Sequence, residues 1–191
     1  MPRTTDYALN TTARLALLAA AGAVAALALT GCSALSWGKT ASVQLQATSV
    51  PQPNAAQPVA GQLKFSPVAG GVRVTGTVSG LKPNAPQAFH VHEKGDCSAA
   101  DASSAGGHFN PTGQPHGAFT AHAHHVGDMP SLQANASGVA KVDFISQEFA
   151  LEGASSIVGK SVIVHRDPDD VNSQPSGNAG PRLACGVIVK G

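Results

Sequence analysis

Val72-Arg73-Val74-Thr75-Gly76-Thr77-Val78 is the stretch of sequence that decides the fold. Its apolar and polar residues alternate with a period of two, which is typical of a strand with one face in a core and the other in solvent. The same alternation recurs in short segments along the chain, and turn-forming residues such as those of Leu81-Lys82-Pro83-Asn84-Ala85-Pro86 separate them. The other alternating segments are residues 42–47, 62–65, 88–92, 139–144, 161–165 and 185–189.

No stretch after residue 41 repeats its apolar residues with the 3.6-residue period of an amphipathic helix. Short alternating strands separated by turns favour an all-β domain, built as an antiparallel sandwich or barrel. Two long segments without this alternation, residues 93–133 and 166–182, interrupt the strands. Loops of this length inside a compact domain are usually functional, so we expect the site of the protein to lie in them.

The composition of the 191-residue chain excludes several classes of protein. Charged residues make up 12% of it and hydrophobic residues 42%, with 21 glycines and 13 prolines, which is typical of a folded, loop-rich domain. The net charge is +1 and no run of lysine and arginine occurs, so we expect no nucleic-acid partner. The eight histidines are unusual, because all of them lie between His90 and His165.

The start of the chain has the pattern of an export signal. Arg3 and Arg14 precede an uncharged apolar run over residues 15–29, which is shorter than the roughly 20 residues that a membrane-spanning helix needs. The run ends in Leu29-Thr30-Gly31-Cys32, which resembles the bacterial lipobox, in which the cysteine is lipidated. The alternative is an uncleaved anchor helix that contains a cysteine by chance.

This pattern predicts the organisation of the chain. We expect a lipoprotein signal peptide over residues 1–31, a tether over residues 32–41 that begins with lipidated Cys32, and one folded domain over residues 42–191. The lipid would hold the protein in the periplasm or cell envelope. Because Ser33 rather than aspartate follows the cysteine, the resemblance favours an anchor in the outer membrane.

His90 and His92 end one of the predicted strands. Residues i and i+2 of a strand point to the same face, so both imidazoles can reach one metal ion. His165 ends another alternating segment and can supply a third nitrogen to the same ion. Such a pair is a weak signal by itself, and two surface histidines with ordinary polar contacts are the alternative.

The first long segment holds a second group of metal-binding residue types, which are His108, His116, His125 and Asp128. Three imidazoles and one carboxylate are a suitable tetrahedral ligand set for zinc. Ligands this widely spaced in a loop need the metal to bring them together, so zinc would stabilise the loop. For this segment alone, the alternative is a histidine-rich loop in solvent.

Four segments together resemble the signature sequences of the copper/zinc superoxide dismutases, and the similarity covers roughly residues 42–190 in consistent order. This resemblance implies an eight-stranded antiparallel Greek-key β-barrel or sandwich with two long functional loops. It also implies an enzyme that converts superoxide to oxygen and hydrogen peroxide, with copper and zinc as cofactors. The segments are Phe89-His90-Val91-His92-Glu93-Lys94-Gly95-Asp96-Cys97, Gly107-His108-Phe109-Asn110-Pro111, His125-Val126-Gly127-Asp128 and Gly177-Asn178-Ala179-Gly180-Pro181-Arg182-Leu183-Ala184-Cys185-Gly186-Val187-Ile188.

The resemblance assigns a role to each candidate ligand. His108 resembles the bridging histidine, whose ring binds copper through one nitrogen and zinc through the other. The implied copper ligands are His90, His92, His108 and His165. The implied zinc ligands are His108, His116, His125 and Asp128.

Further residues match positions beside the metals. Asp169 resembles the aspartate that hydrogen-bonds one copper histidine and one zinc histidine, which we expect to be His90 and His116. Arg182 resembles the arginine that attracts and orients the superoxide anion. This arginine and the bridging histidine, His108, are the predicted catalytic residues.

Cys97 and Cys185 match the family disulfide. They are also the two cysteines that remain if Cys32 carries lipid, and an exported protein folds in an oxidising compartment. A bridge between them would close a loop of about 90 residues and stabilise the fold by roughly 4–5 kcal/mol in the chain-entropy treatment.

The sequence departs from the eukaryotic pattern of the family in two places. The segment from Cys97 to His108, which contains residues 98–105, looks longer than in eukaryotic members and resembles that of the bacterial members. The loop over residues 166–181 looks shorter and has no lysine or glutamate after Asp170, so the charged residues that guide substrate in eukaryotic members are missing. Lys94 or Lys160 could assist instead, although ordinary solvated lysines are the simpler interpretation. The dimer contact also differs between branches of the family, which leaves a monomer and a homodimer as alternatives.

Other functions remain as alternatives. A non-catalytic periplasmic copper- and zinc-binding or storage lipoprotein would account for the surplus His122 and His124, but it would not need Asp169 or Arg182. A two-metal hydrolase generally relies on several carboxylates, whereas the proposed ligand set contains one. His124 is also the alternative zinc ligand if the register of the neighbouring histidines is shifted by one.

Overall fold

The computed structural model describes residues 40–54 and 56–191 of the chain. The predicted signal peptide, Cys32 and nearly all of the predicted tether lie outside the described residues. The first strand begins at Ala41, which the sequence assigns to the end of the tether and which is buried against the core.

Ten β-strands make up the regular structure of the described residues, and one turn of 3-10 helix at Ser103–Ala105 is the helical segment among them. No helix within residues 40–54 and 56–191 is long and apolar enough to cross a membrane. The strands are β1 (Ala41–Ala47), β2 (Ala60–Val68), β3 (Gly71–Ser79), β4 (Pro86–Gln87), β5 (Phe89–His92), β6 (Leu132–Gln133), β7 (Ala140–Ser146), β8 (Ser161–His165), β9 (Arg182–Val187) and β10 (Val189–Lys190).

Eight of these strands form one antiparallel sheet in the order β5-β8-β9-β1-β2-β3-β7, with β10 paired to β1. β3 and β5 are consecutive members of this sheet along the chain, yet they lie far apart in its order, so the chain crosses between distant strands as in a Greek key. β5 and β7 are the two end strands of this sheet order. The short strands β4 and β6 directly precede them along the chain and pair with each other, which links the two ends of the sheet. The predicted all-β, antiparallel Greek-key fold is confirmed.

The alternation of the opening stretch produces the core of this sheet. Val72, Val74 and Val78 of β3 are buried, while Arg73 and Thr77 on the opposite face are exposed. Because successive side chains of a strand point to opposite faces, one apolar residue in two is enough to build the interior. The neighbouring strands contribute buried residues in the same way, chiefly Leu45, Leu63, Phe65, Phe89, Val91, Val162, Val164 and Leu183.

Two long segments leave the sheet, and we name them the ligand loop (residues 93–131, between β5 and β6) and the cleft loop (residues 166–181, between β8 and β9). The ligand loop covers the free edge of β5, which pairs with β8 on its other side. The Phe109 N–H donates to the Val91 carbonyl at 2.8 Å, and the Val91 N–H donates to the Gly127 carbonyl at 2.9 Å. An uncovered edge would leave these backbone groups unpaired. The loop therefore lies directly against the strand that carries the His-x-His pair.

Candidate metal centre

β5 holds the His-x-His pair at the boundary between the sheet and the ligand loop. Phe89 and Val91 point into the core, so His90 and His92 project from the opposite face of the strand. That face is covered by the ligand loop, and both imidazoles are almost completely buried.

β8 and β9 place a third histidine beside an arginine. The register between these strands shifts between Val164 and His165, which pairs His165 with Arg182. Irregularities of this kind redirect a side chain at the end of a strand. His165 is buried, and its backbone N–H donates to the Ala88 carbonyl at 2.9 Å, just before β5.

The ligand loop brings its own residues to the same face through two isolated bridges, which pair His108 with His92 and Asp128 with His90. Two groups of ligand atoms result, and the atoms of each lie within 4.8 Å of one another. We name them the four-histidine site (His90, His92, His108 and His165) and the His–Asp site (His108, His116, His125 and Asp128).

The hydrogen bonds of the four-histidine site determine which nitrogens are free. His92 Nδ1 lies 2.9 Å from the Gly106 carbonyl, and His165 Nδ1 lies 3.2 Å from the Gly180 carbonyl. A carbonyl oxygen only accepts, so both Nδ1 atoms carry the proton and both Nε2 atoms carry a lone pair. The two Nε2 atoms are 3.4 Å apart in a buried site. Facing lone pairs are unfavourable there unless a cation binds both, so this site fits a metal ion.

The His–Asp site has nearly the dimensions of a zinc tetrahedron. Asp128 Oδ1 lies 2.9 Å from His108 Nδ1, 3.1 Å from His116 Nδ1 and 3.4 Å from His125 Nδ1. His125 Nδ1 lies 3.2 Å from His108 Nδ1. Zinc bonds of about 2.0–2.1 Å require tetrahedral edges of about 3.3–3.4 Å. The donor set and its spacing therefore fit zinc.

His108 belongs to both sites. Its Nδ1 lies in the His–Asp site, whereas its Nε2 is buried and has no hydrogen-bond partner among the described residues. A buried nitrogen without a partner is costly, and a metal ligand bond would satisfy it. The ring of His108 can therefore bind one metal through each nitrogen.

Asp169 of the cleft loop lies behind both sites. Its Oδ1 is 3.3 Å from His90 Nε2 and 3.2 Å from His116 Nε2, so it contacts one ring of each site, as the resemblance implies. These contacts favour a proton on each Nε2 and leave the two Nδ1 atoms for metal. Gly177 packs against the same groups, since a Cβ there would collide with Asp169 Oδ1 and lie 2.7 Å from His116 Nε2.

Burial keeps three of the imidazoles neutral. It lowers the pKa of His165 to about 3 and that of His108 to about 4, and it lowers the pKa of His92 well below its usual value, with neighbouring histidines adding to the effect in each case. A neutral imidazole is the form that binds a metal ion. These three rings are therefore ready to bind at neutral pH.

The carboxylates favour positive charge in the His–Asp site. Burial disfavours the charged form of His116, Asp128 and Asp169, but the attraction between the carboxylates and the imidazole rings outweighs it. Asp128 and Asp169 together raise the pKa of His116 to about 9, and the histidines hold the pKa of both carboxyls well below the usual range. A metal cation can take the place of that positive charge.

Arg182 lines a cleft of about 270 Å³ that opens onto His92, His108 and His165. Its Nη1 donates to the Ala102 carbonyl and its Nη2 to the Gly106 carbonyl, both at 2.7 Å. Partial burial lowers the pKa of Arg182, but a guanidinium stays charged in proteins. The cleft is therefore a small polar opening with a fixed cation beside the four-histidine site.

The surplus histidines and lysines lie outside both sites. His124 Nδ1 lies 2.7 Å from the His125 carbonyl, and His122 is exposed, so His125 is the histidine of this run in the His–Asp site. Lys160 lies over the ring of Phe109, with 5.0 Å between Nζ and the ring centroid. Neither Lys160 nor Lys94 lines the cleft.

The predicted disulfide between Cys97 and Cys185 is confirmed. It links the ligand loop to β9, three residues after Arg182, and packs with Ala102, Ala105 and Ile163. The bridge therefore holds the part of the ligand loop whose Ala102 carbonyl accepts a hydrogen bond from Arg182.

Three contributors to the site were missed by sequence reasoning. The Gly106 carbonyl orients both His92 and Arg182, Gly180 does the same for His165, and Gln174 hydrogen-bonds the backbone of His116. The first two act through backbone oxygens, which every residue has, so side-chain patterns carry no signal for them. Gln174 acts on a residue 58 positions away.

Comparison with known proteins agrees with this geometry. The family model described as copper/zinc superoxide dismutase (SODC) matches residues 59–188. Superoxide dismutase [Cu-Zn] 2 of Aquifex aeolicus (strain VF5) is 38% identical over 135 residues, covering 68% of this chain and 79% of the relative. Superoxide dismutase [Cu-Zn] of Paramecium bursaria Chlorella virus 1 is 39% identical over 137 residues, covering 69% and 73%. The crystal structure of the clock protein EA4 matches with a TM-score of 0.70 and 34% identity over 78% of this chain and 93% of that one.

The fold and the two joined sites define a β-barrel protein with a two-metal centre. The matched region includes every residue of both sites. The chain belongs to the copper/zinc superoxide dismutase family. The metals of this family are copper and zinc, and the two ligand groups fit them.

Proposed function

We propose that this protein is a superoxide dismutase that converts two superoxide anions and two protons to one oxygen and one hydrogen peroxide. Copper would bind in the four-histidine site and zinc in the His–Asp site. The observation that carries the proposal is the sharing of His108, whose two nitrogens belong to different sites. Family membership supports the same activity.

When bound, copper supplies a one-electron couple that can oxidise one superoxide and reduce the next, and zinc supplies a fixed positive charge. The chain's own residues prepare this centre. His92 and His165 are fixed by carbonyl acceptors with Nε2 free, and His90 and His116 are fixed by Asp169 with Nδ1 free. Such fixed tautomers raise the affinity and precision of metal binding.

The cleft selects a small anion. Arg182 places its guanidinium at the opening, and two of its five N–H donors are taken by the Ala102 and Gly106 carbonyls, which leaves donors for substrate. The chain's net charge is only +1, so attraction of superoxide depends on this local cation rather than on the field of the whole protein.

His108 is also the residue suited to move a proton. Its Nε2 is buried beside the cleft and has no partner within residues 40–54 and 56–191, while its Nδ1 is held at the His–Asp site. A proton taken up at Nε2 lies where it can pass to a reduced substrate oxygen. The second proton of the product would come from water in the cleft.

The storage alternative is less well supported. A storage site needs ligands, but it does not need an arginine that is fixed by two carbonyls at the mouth of the site. Asp169 contacts one ring of each site, which is useful for a coupled centre and unnecessary for two independent ions.

The test is superoxide consumption by the domain loaded with copper and zinc, beside His108→Ala and the matched control His122→Ala, whose histidine is exposed and outside both sites. We expect rapid consumption by the wild type and the control and a loss of at least tenfold in His108→Ala. A wild type no faster than the copper-free protein would refute the function.

We also propose that the mature protein is tethered to the cell envelope of a bacterium through lipid on Cys32, with the outer membrane favoured by Ser33. For the oligomeric state, a monomer and a homodimer are the alternatives, and sedimentation of the purified domain distinguishes them.

A further inference from the structure

The backbone of His116 is held by a single side chain from the cleft loop. The His116 N–H donates to Gln174 Oε1 at 3.0 Å, and Gln174 Nε2 donates to the His116 carbonyl at 2.8 Å. One primary amide thus pairs with both backbone groups of one residue, across 58 positions of sequence.

No other group within the described ranges hydrogen-bonds the backbone of His116. The rest of the His–Asp site is held differently, because the backbone N–H groups of Gly117 and His125 both donate to Asp128 Oδ2. Asp128 therefore organises its own part of the ligand loop. Gln174 holds the N–H and the carbonyl of His116 itself, while Asp128 holds the N–H that follows, on Gly117.

The cleft loop is shaped to present this amide. Within it, the Ser173 N–H donates to the Asp170 carbonyl, the Gly177 N–H to the Ser173 carbonyl, and the Asp170 N–H to the Gly177 carbonyl, at 2.8–2.9 Å. These bonds close a compact turn over residues 170–177 that projects Gln174 toward His116. Asp169, at the base of the turn, contacts the ring of the same histidine.

We propose that Gln174 is a positioning residue of the zinc site: it fixes the main chain of His116 so that Nδ1 points at the metal. This inference rests on the proposed function for the identity of the metal. The hydrogen bonds that Gln174 makes within the described ranges go to His116 and none goes to the four-histidine site, so its effect should be confined to zinc. Gln174 is exposed, and water can replace part of each hydrogen bond, so we expect an effect near the lower end of the 10–100-fold range typical of residues that support metal ligands.

The experiment compares wild type, Gln174→Ala, Gln174→Glu and the control Asn172→Ala. Asn172 is an exposed amide of the same turn, and its side chain makes no hydrogen bond to any residue of the described ranges. Zinc affinity is measured by competition with a chromogenic chelator, in protein without copper. Co(II) is then bound in place of zinc, and its visible bands report whether the site is tetrahedral. Cu(II) in zinc-free protein is followed by electron paramagnetic resonance.

We expect Gln174→Ala to bind zinc about tenfold more weakly and to weaken the tetrahedral Co(II) bands, while Cu(II) spectra and affinity stay those of the wild type. Gln174→Glu keeps the acceptor for the His116 N–H but loses the donor to the His116 carbonyl. The zinc affinity of this variant should therefore lie between those of wild type and Gln174→Ala. Asn172→Ala should equal the wild type.

Unchanged zinc affinity in Gln174→Ala would overturn the proposal, and so would an equal loss at both metal sites, because that would indicate general destabilisation. If Gln174→Ala fails to fold, Gln174→Glu decides by the same criteria. All of these measurements are independent of turnover. An inactive wild type would therefore refute the proposed function, while the metal affinities and spectra would still decide the role of Gln174.

Discussion

Arg182 and His92 share one hydrogen-bond acceptor, the carbonyl of Gly106. Arg182 Nη2 donates to it at 2.7 Å, and His92 Nδ1 lies 2.9 Å from it. The residue expected to attract the substrate and a residue expected to bind copper are therefore fixed by the same point of the ligand loop. A shift of Gly106 would move the cation and turn the imidazole together, so we expect loss of the nearby disulfide at Cys97 to affect the site.

We predict that Arg182→Ala keeps its copper but consumes superoxide more slowly, on the order of tenfold, because the local cation at the cleft is lost. Its rate should also depend less on ionic strength than that of the wild type. The control is Arg73→Ala, which removes an exposed arginine paired with Asp143 on the outside of the sheet. Equal rates and equal salt dependence in Arg182→Ala and wild type would contradict the role of the cleft arginine.

Asp169→Asn should weaken the binding of both metals, in contrast to the zinc-selective effect expected for substitution of Gln174. The substitution removes the charge that lies 3.3 Å from His90 Nε2 and 3.2 Å from His116 Nε2 and leaves a weaker amide acceptor, so each ring is held less firmly in its binding tautomer. We expect a 10–100-fold loss of affinity for each metal, measured by chelator competition. Asp170→Asn, at the exposed neighbouring position, serves as the matched control. A loss confined to one metal would contradict this shared role.

Replacement of Cys97 and Cys185 together by serine should lower the free energy of unfolding by about 4–5 kcal/mol in the chain-entropy treatment, because the bridge spans 88 residues. Denaturant titration of the metal-free proteins gives the difference. Turnover of the metal-loaded variant should fall as well, since the Ala102 and Gly106 carbonyls that fix Arg182 lie in the segment held by the bridge. If the double variant kept wild-type turnover, the disulfide would have no role in positioning Arg182.

The metal-free protein should lose stability as the pH falls from about 6.5 toward 3. The folded pKa is about 3 for His165 and about 4 for His108, below the ordinary 6.5, so the unfolded chain binds more protons in this range. Asp128 and Asp169 add to the loss below their ordinary pKa of 3.8. His116 acts oppositely, because its pKa is raised to about 9 and its contribution is lost as the pH rises through that value. Thermal unfolding against pH should therefore show a maximum near pH 6.5, with stability falling toward pH 3 on one side and toward pH 9 on the other. Equal stability at pH 4 and pH 7 would contradict it.

Cys32→Ser should abolish incorporation of a labelled fatty acid when the full-length gene is expressed in a bacterium, since serine cannot carry the thioether-linked lipid. The variant should also move from the membrane fraction to the soluble periplasmic fraction. Cys97→Ser is the control, because that cysteine belongs to the disulfide and its loss should leave labelling intact. Label that persists in Cys32→Ser would refute the lipobox.

The strands of the sheet could be predicted because their signal is local. Val72, Val74 and Val78 point inward and Arg73 points outward, as a period of two requires. The pairing of His90 with His92 on one face follows from the same rule. Resemblance to the family supplied the wide set of loop ligands, since spacing alone left a solvated histidine-rich loop as an alternative.

The sequence by itself determined the all-β fold, and through its family resemblance it supplied the candidate residues of two metal sites and the two cysteines of the bridge. Only the tertiary structure decided which nitrogen of each ring is free, because that depends on carbonyls and carboxylates brought from other parts of the chain. Gly106 lies 14 positions from His92 and 76 from Arg182, and Gln174 lies 58 from His116. Contacts over such distances form when the ligand loop and the cleft loop close over β5, and no local pattern of residue types encodes them.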